Sequence, residues 1–250
     1  MANVSVCCGY HLNILKINQV KSLYLILLLA SFAVPFVYSF EKKMNFIKHW
    51  KAVFLSIALV ASFYIVWDVI FTYAGVWGFN PDYFIGFTIF KLPIEEWMFF
   101  ILIPYASLFI HYALQYFFPA VQLSDKLVKW LTITLIGFLF LLVLLFFDRL
   151  YTLINSLVLI GALILGLKDK FNILNRFFLS YLVILIPFTI VNGILTGSFI
   201  TEPIVWYNNQ ENLGIRFFTI PLEDFGYTFS LMFLNLLLIE RFKIIFNTNK

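Results

Sequence analysis

Leu92-Pro93-Ile94-Glu95-Glu96-Trp97 and Ile220-Pro221-Leu222-Glu223-Asp224-Phe225 are the two strings on which the reading of this chain turns. Each sets a proline and a pair of carboxylates at the mouth of a long apolar run. An acid inside a membrane helix costs about 2.5–3.5 kcal/mol on insertion scales. The chain has only 13 acidic residues and spends four of them at these two mouths. A shift of 128 residues superposes the strings: Pro93 falls on Pro221, Glu95 on Glu223 and Glu96 on Asp224. Without a gap, the same shift carries Asn80, Gly86, Phe90 and Leu108 onto Asn208, Gly214, Phe218 and Leu236.

Composition sets the class around these strings. The chain is 62% apolar and 12% charged, with 32 phenylalanines, against roughly 25% charged residues in a soluble domain. Apolar windows near the ~20 residues needed to cross a bilayer recur along its length. Seven are expected: 22–40, 52–73, 94–118, 128–147, 150–167, 178–197 and 221–240. The 128-residue shift maps the first three onto the last three and leaves the fourth alone. The predicted fold is therefore an all-α membrane protein of about seven transmembrane helices, two parallel three-helix repeats joined by a linker helix. The division is an N-terminal segment (1–21), a first unit (22–118), a linker with the fourth helix (119–149) and a second unit (150–246). An extra crossing makes two three-helix units parallel instead of inverted, so both acidic strings reach one membrane face.

Charge orients the bundle. Segments on one side of the predicted spans hold 5 Lys and Arg and those on the other hold 12. The positive-inside rule puts the N-terminus and the acidic strings outside and the C-terminus in the cytoplasm, the bacterial inner membrane being the expected location. This topology accounts for the net charge of +4, and no basic, aromatic-interleaved patch points to nucleic acid. Cys7 and Cys8, the only cysteines, are adjacent and read as unlinked thiols. His11, His49 and His111 are too scattered for a metal site.

Before each acidic string runs a loop of about 20 residues, rich in turn formers and interfacial aromatics: Trp77, Gly78, Asn80-Pro81 and Tyr83 in one, Trp206-Tyr207-Asn208-Asn209 in the other. Pro93 and Pro221 suit the first helical turn, and acids there meet the positive end of the helix dipole.

The first string, with Trp67-Asp68-Val69-Ile70-Phe71-Thr72, Gly75-Val76-Trp77-Gly78-Phe79-Asn80-Pro81 and Ile103-Pro104-Tyr105, resembles the first subunit of heterodimeric lycopene cyclases. Asn192-Gly193-Ile194-Leu195-Thr196, Gly214-Ile215-Arg216 and the second string with Gly226-Tyr227 look like the second subunit. A chain holding both, matching over about residues 22–245, is similar to the fused membrane-integral cyclases of carotenoid pathways. One position departs from that pattern. Where the family's first unit often has an acid, some seventeen residues past its first Glu, this chain has Tyr112, while the second unit keeps Glu240.

The resemblance implies a lycopene beta-cyclase: an isomerase that closes the ends of lycopene to β-ionone rings, giving γ-carotene and then β-carotene. A carboxylic acid protonates an alkene only in its protonated form, and apolar surroundings and a second carboxylate both favour that form. Glu95, Glu96, Glu223 and Asp224 are the candidate catalytic acids, one of each pair as donor and a partner as stabiliser or base. The substrate side takes in Trp97, Phe99, Phe100, Phe225 and Tyr227, whose rings can shield a cation, with Asp68, Asn80, Asn192 and Arg216 from the matched motifs. The implied partners are lycopene drawn from the bilayer, membrane lipid and neighbouring carotenoid-pathway enzymes. With no Gly-x-Gly-x-x-Gly string the motifs ask for no cofactor, and one held in another way stays open. The alternatives are another linear carotenoid, an ε-ring outcome, or a non-enzymatic transporter with parallel repeats. A Glu-Glu-x-x-x-Arg protease is disfavoured by Phe100 at the Arg position.

Overall fold

A computed structural model describes residues 21–170 and 172–248; Cys7, Cys8 and His11 lie outside that range. Among the described residues the chain forms seven α-helices: α1 (Leu23–Tyr38), α2 (Trp50–Ala74), α3 (Ile94–Phe117), α4 (Asp125–Leu145), α5 (Leu150–Leu167), α6 (Ile173–Leu195) and α7 (Leu222–Thr248). They fall on the seven apolar windows, and the chain is an all-α, multi-pass membrane protein. Helices α2 to α6 are each long and apolar enough to cross a membrane. Helix α1, with 16 residues, extends about 24 Å at 1.5 Å per residue, less than a ~30 Å hydrocarbon core. Helix α7 carries Glu223-Asp224 in its first turn and Glu240, Arg241 and Lys243 near its end. Pro35, Pro104 and Pro187 lie inside α1, α3 and α6, which membrane helices tolerate when neighbours satisfy the freed carbonyls.

Packing follows the 128-residue shift. α1 packs on α3 as α5 packs on α7, and α2 crosses to α7 as α6 crosses to α3. The second crossing is looser than the first. α4 rests on α5 at the edge of the bundle.

The loops before the acidic strings are more ordered than turn signals alone imply. β1 (Trp77–Phe79) pairs antiparallel with β4 (Val205–Tyr207), joining the two units. β2 (Thr88–Ile89) with β3 (Leu92–Pro93), and β5 (Arg216–Phe217) with β6 (Ile220–Pro221), form a hairpin ahead of each acid pair. Strands of two or three residues are too short for period-two alternation to be read from sequence. Pro93 closes its hairpin and stands as the N-cap of α3, with φ −55° and ψ 149°, one step ahead of the helical turn expected for it.

The central pair of the β1–β4 ladder is Gly78 opposite Trp206, which are the same position in the two units. Equal positions meeting in this way place an approximate two-fold axis there, as at an isologous interface. A Cβ on Gly78 would clash with the Trp206 ring. Gly78→Ala is therefore expected to cost about 1–3 kcal/mol, the range for forced overpacking. Denaturant unfolding in detergent measures it, and an unchanged midpoint would mean that the ladder does not fasten the halves.

Candidate active site

Adjacent residues on a helix point about 100° apart, so the two acids of each string cannot share surroundings. The first of each pair turns back to its loop. Glu95 Oε1 accepts the Ile85 N–H at 2.8 Å, and Glu223 Oε1 accepts the Leu213 N–H at 2.7 Å and the Thr152 hydroxyl at 2.6 Å. Ile85 and Leu213 are again equivalent under the shift. Glu95 and Glu223 thus pin the chain just before each hairpin to the start of the helix that follows.

The second acid of each pair turns inward. Glu96 accepts a hydrogen bond from the Tyr24 hydroxyl on α1. Asp224 accepts three: from Tyr151 on α5 at 2.6 Å, from the Asn192 amide on α6 at 2.7 Å and from Tyr207 on β4 at 3.0 Å. Tyr24 and Tyr151 open the first helix of their units, so each inward acid is met by a tyrosine from the equivalent helix. Burial first, and then the Asp224 carboxylate, hold the Tyr207 phenol well above its usual value, so it stays a neutral donor.

A third acid joins them. Asp68 on α2 takes the Trp77 indole N–H, and Thr72 Oγ1 at 3.4 Å, on one oxygen. Among the described residues its other oxygen is buried without a donor, and Asp68 and Glu96 line the same small cavity. Asp68, Glu96 and Asp224 line one cavity of about 60 Å³ walled by aromatic rings, among them Trp77, Phe99, Phe188 and Tyr227. Among the described residues no lysine, arginine or histidine lines it. Phe99, Phe188, Asn192, Leu195 and Thr228 also line a second, apolar cavity of about 300 Å³. The small acidic chamber therefore adjoins a larger apolar one, with these five side chains at the boundary.

Of the sequence-predicted residues, the structure gathers Glu96, Asp224, Asp68, Phe99, Tyr227 and Asn192 at the cavity. Glu95 and Glu223 hold loops instead. The Trp97 indole donates to the Ile89 carbonyl of its hairpin at 3.4 Å. Phe100 packs edge-on behind Phe99 at 5.5 Å, and Phe225 supports Phe188 at 5.2 Å. Asn80 reaches Glu202 of the other unit at 3.3 Å. Arg216 braces the second loop through the Thr219 carbonyl at 2.6 Å and Asn209 at 2.8 Å. Tyr24, Tyr151 and Phe188 escaped the sequence reading, and Tyr207 entered it only as a loop aromatic. The repeat carried a signal for two of them, because Tyr24 and Tyr151 fall within one residue of register.

Tyr112, the departure from the family pattern, stands far from this chamber. It lies sixteen residues beyond Glu96 on α3, about 24 Å along the helix. Its hydroxyl donates to Glu240 at 2.7 Å, and Lys243 donates to both, at 2.9 and 2.7 Å. Tyr112 and Glu240 are equivalent under the shift, so the axis that runs through Gly78 and Trp206 ends between them. Tyr112→Phe is expected to cost about 1 kcal/mol of stability and to leave the cavity's chemistry within about twofold. Unfolding midpoints and turnover of the same preparation check both halves of that statement.

A family model described as Lycopene cyclase matches residues 21–114 and 148–242. The two matched stretches hold the two units and leave out α4. Nothing among curated proteins and nothing among solved structures matches the chain.

Proposed function

Because this chain belongs to the lycopene cyclase family, we propose that its central chamber closes the ends of lycopene to β-ionone rings by acid catalysis. The Asp68–Glu96 pair is the proton donor. Two carboxyl groups that line one small, aromatic-walled cavity repel each other when both are ionised, which favours one of them keeping its proton. Transfer to the terminal double bond gives a tertiary carbocation. The neighbouring double bond attacks it, one carbon–carbon bond closes the ring, and the positive charge moves to a ring carbon. Asp224, which accepts from three donors and gives none, faces that charge and takes the departing proton. One proton enters and one leaves, so the formula is unchanged. Loss from the ring carbon that bears the polyene gives the β-ring, and loss from the ring methylene gives the ε-ring.

Around this step the aromatic walls exclude water, which would trap the cation as an alcohol, and attract the cation by about 0.5–2 kcal/mol per ring. Tyr24, Tyr151, Tyr207 and Asn192 hold the two inward acids in place. Glu95 and Glu223 position the loops that roof the chamber. Loop charges favour this end of the bundle facing outward and the C-terminus facing the cytoplasm.

The observation that carries the reading is the convergence of acids from both units, Asp68 and Glu96 from one and Asp224 from the other, on a single chamber that adjoins apolar space. Expression in lycopene-accumulating bacteria tests it. Conversion of red lycopene to yellow-orange pigment with β-rings is expected; unchanged lycopene in membranes that contain the protein would refute it, and ε-ringed pigment would refute the assigned proton loss.

A further inference from the structure

The two units part company beside the chamber. Under the shift, Tyr64 and Trp67 of α2 correspond to Asn192 and Leu195 of α6. Tyr64 is fully buried. It bonds Ser230 Oγ at 2.7 Å and meets Tyr227 edge to face at 4.9 Å. Trp67 reaches the same Tyr227 ring at 4.9 Å. Together they fill the cleft between α2 and α7. In the equivalent cleft between α6 and α3, the Asn192 amide is spent on Asp224 and Leu195 is smaller than an indole, and the space left open is the 300 Å³ apolar cavity.

That cavity has a lipid-facing side. Val34 of α1, 60% exposed, and Pro187 of α6, also exposed, line it, with the half-buried Ser31 and Val191 beside them. Its inner part ends at Phe99 and Phe188, where the acid chamber begins. The equivalent of Val191 on the closed side is Phe63, 52% exposed on α2 with the filled cleft behind it. A volume of about 300 Å³ is at the lower end of sites that bury a drug-sized ligand, and a C40 polyene is larger.

Resting on the cyclase reading, we propose that the acyclic polyene enters sideways from the bilayer through the single cleft between α1 and α6, one end at a time. The reacting end lies at the acids, the adjoining part of the chain fills the apolar cavity, and the remainder stays in lipid. The filled cleft between α2 and α7 admits no second molecule. Two rings then require two visits, with the one-ringed product turned end for end between them.

The test uses the full chain in membranes, with lycopene as the probe. Val191→Trp obstructs the lip of the open cleft, and Phe63→Trp makes the matching change on the closed side. Val191→Trp is expected to lower the cyclisation rate at least tenfold, more at low lycopene than at saturation, while Phe63→Trp stays within twofold of wild type. In a wild-type time course, one-ringed pigment accumulates before two-ringed pigment. Equal losses in the two variants, no loss in Val191→Trp, or two-ringed product without a free one-ringed intermediate would overturn the single cleft. Should Val191→Trp fail to reach the membrane, Ser107→Leu asks the same question deeper in the cavity, with the same expected loss. A wild-type chain that forms no rings counts against the cyclase reading instead, so the two failures are distinguishable.

Discussion

Glu96→Gln is expected to cut ring formation at least 100-fold in a chain that still inserts and folds. The glutamine keeps the shape of the side chain and an oxygen to accept from Tyr24, so packing around α1 and α3 is preserved. It cannot lend an acidic proton to an alkene, and positioned acid–base groups contribute typically 10²–10⁴-fold. Glu95→Gln is the matched control one residue away. Its carbonyl oxygen continues to accept the Ile85 N–H, so turnover is expected to remain within about tenfold of wild type. Pigment formed per unit of membrane-inserted protein, with unfolding midpoints of both variants, makes the comparison. Equal loss in the two would mean that the inward and outward acids are not divided in the way their partners indicate.

Asp224→Asn is the second large effect, on the order of 10²–10³-fold, the scale for removing a group aimed at developing charge. The carboxylate opposite the ring cation would be replaced by a neutral amide. Unlike Glu96→Gln, this change also carries a structural cost. Tyr151, Tyr207 and Asn192 all donate to Asp224, and the new amide nitrogen would face at least one of those donors. An unmade buried hydrogen bond costs about 1–3 kcal/mol, so a lower unfolding midpoint should accompany the lost activity. Activity lost with an undiminished midpoint would support the charge role and contradict the donor arrangement; full activity would remove Asp224 from the reaction.

Much of this arrangement was legible in the sequence. The apolar windows found the helices because a bilayer demands long uninterrupted runs. The shift that maps Glu96 onto Asp224 found the repeat, and the equal pairing of Gly78 with Trp206 in the β1–β4 ladder is its spatial counterpart. What adjacent letters could not reveal was the division of labour within each acid pair. Glu95 and Glu96 differ by a 100° turn, and only packing decides which one faces a chamber and which one a loop. Tyr24 and Tyr151 reach their acids across more than seventy residues, beyond any local pattern. The replacement of Tyr64 and Trp67 by Asn192 and Leu195 was visible once the units were aligned, but its meaning, one cleft filled and the other open, required the neighbours in three dimensions. Tyr112 shows the converse. In the sequence it stood out as a departure from the family pattern, and in the structure its hydroxyl serves a hydrogen-bonded contact with Glu240 at the far end of the axis.

In the proposed mechanism the two units build one site. Ring formation by Glu96→Gln, Asp224→Asn and the double variant, compared at equal membrane abundance in lycopene-accumulating cells, tests this. Groups that act as a unit are strongly non-additive, so each single variant should lose nearly all activity and the double should be little worse than either. If each single variant keeps about half of the wild-type rate and only the double is inactive, each unit has its own site and the shared chamber is wrong.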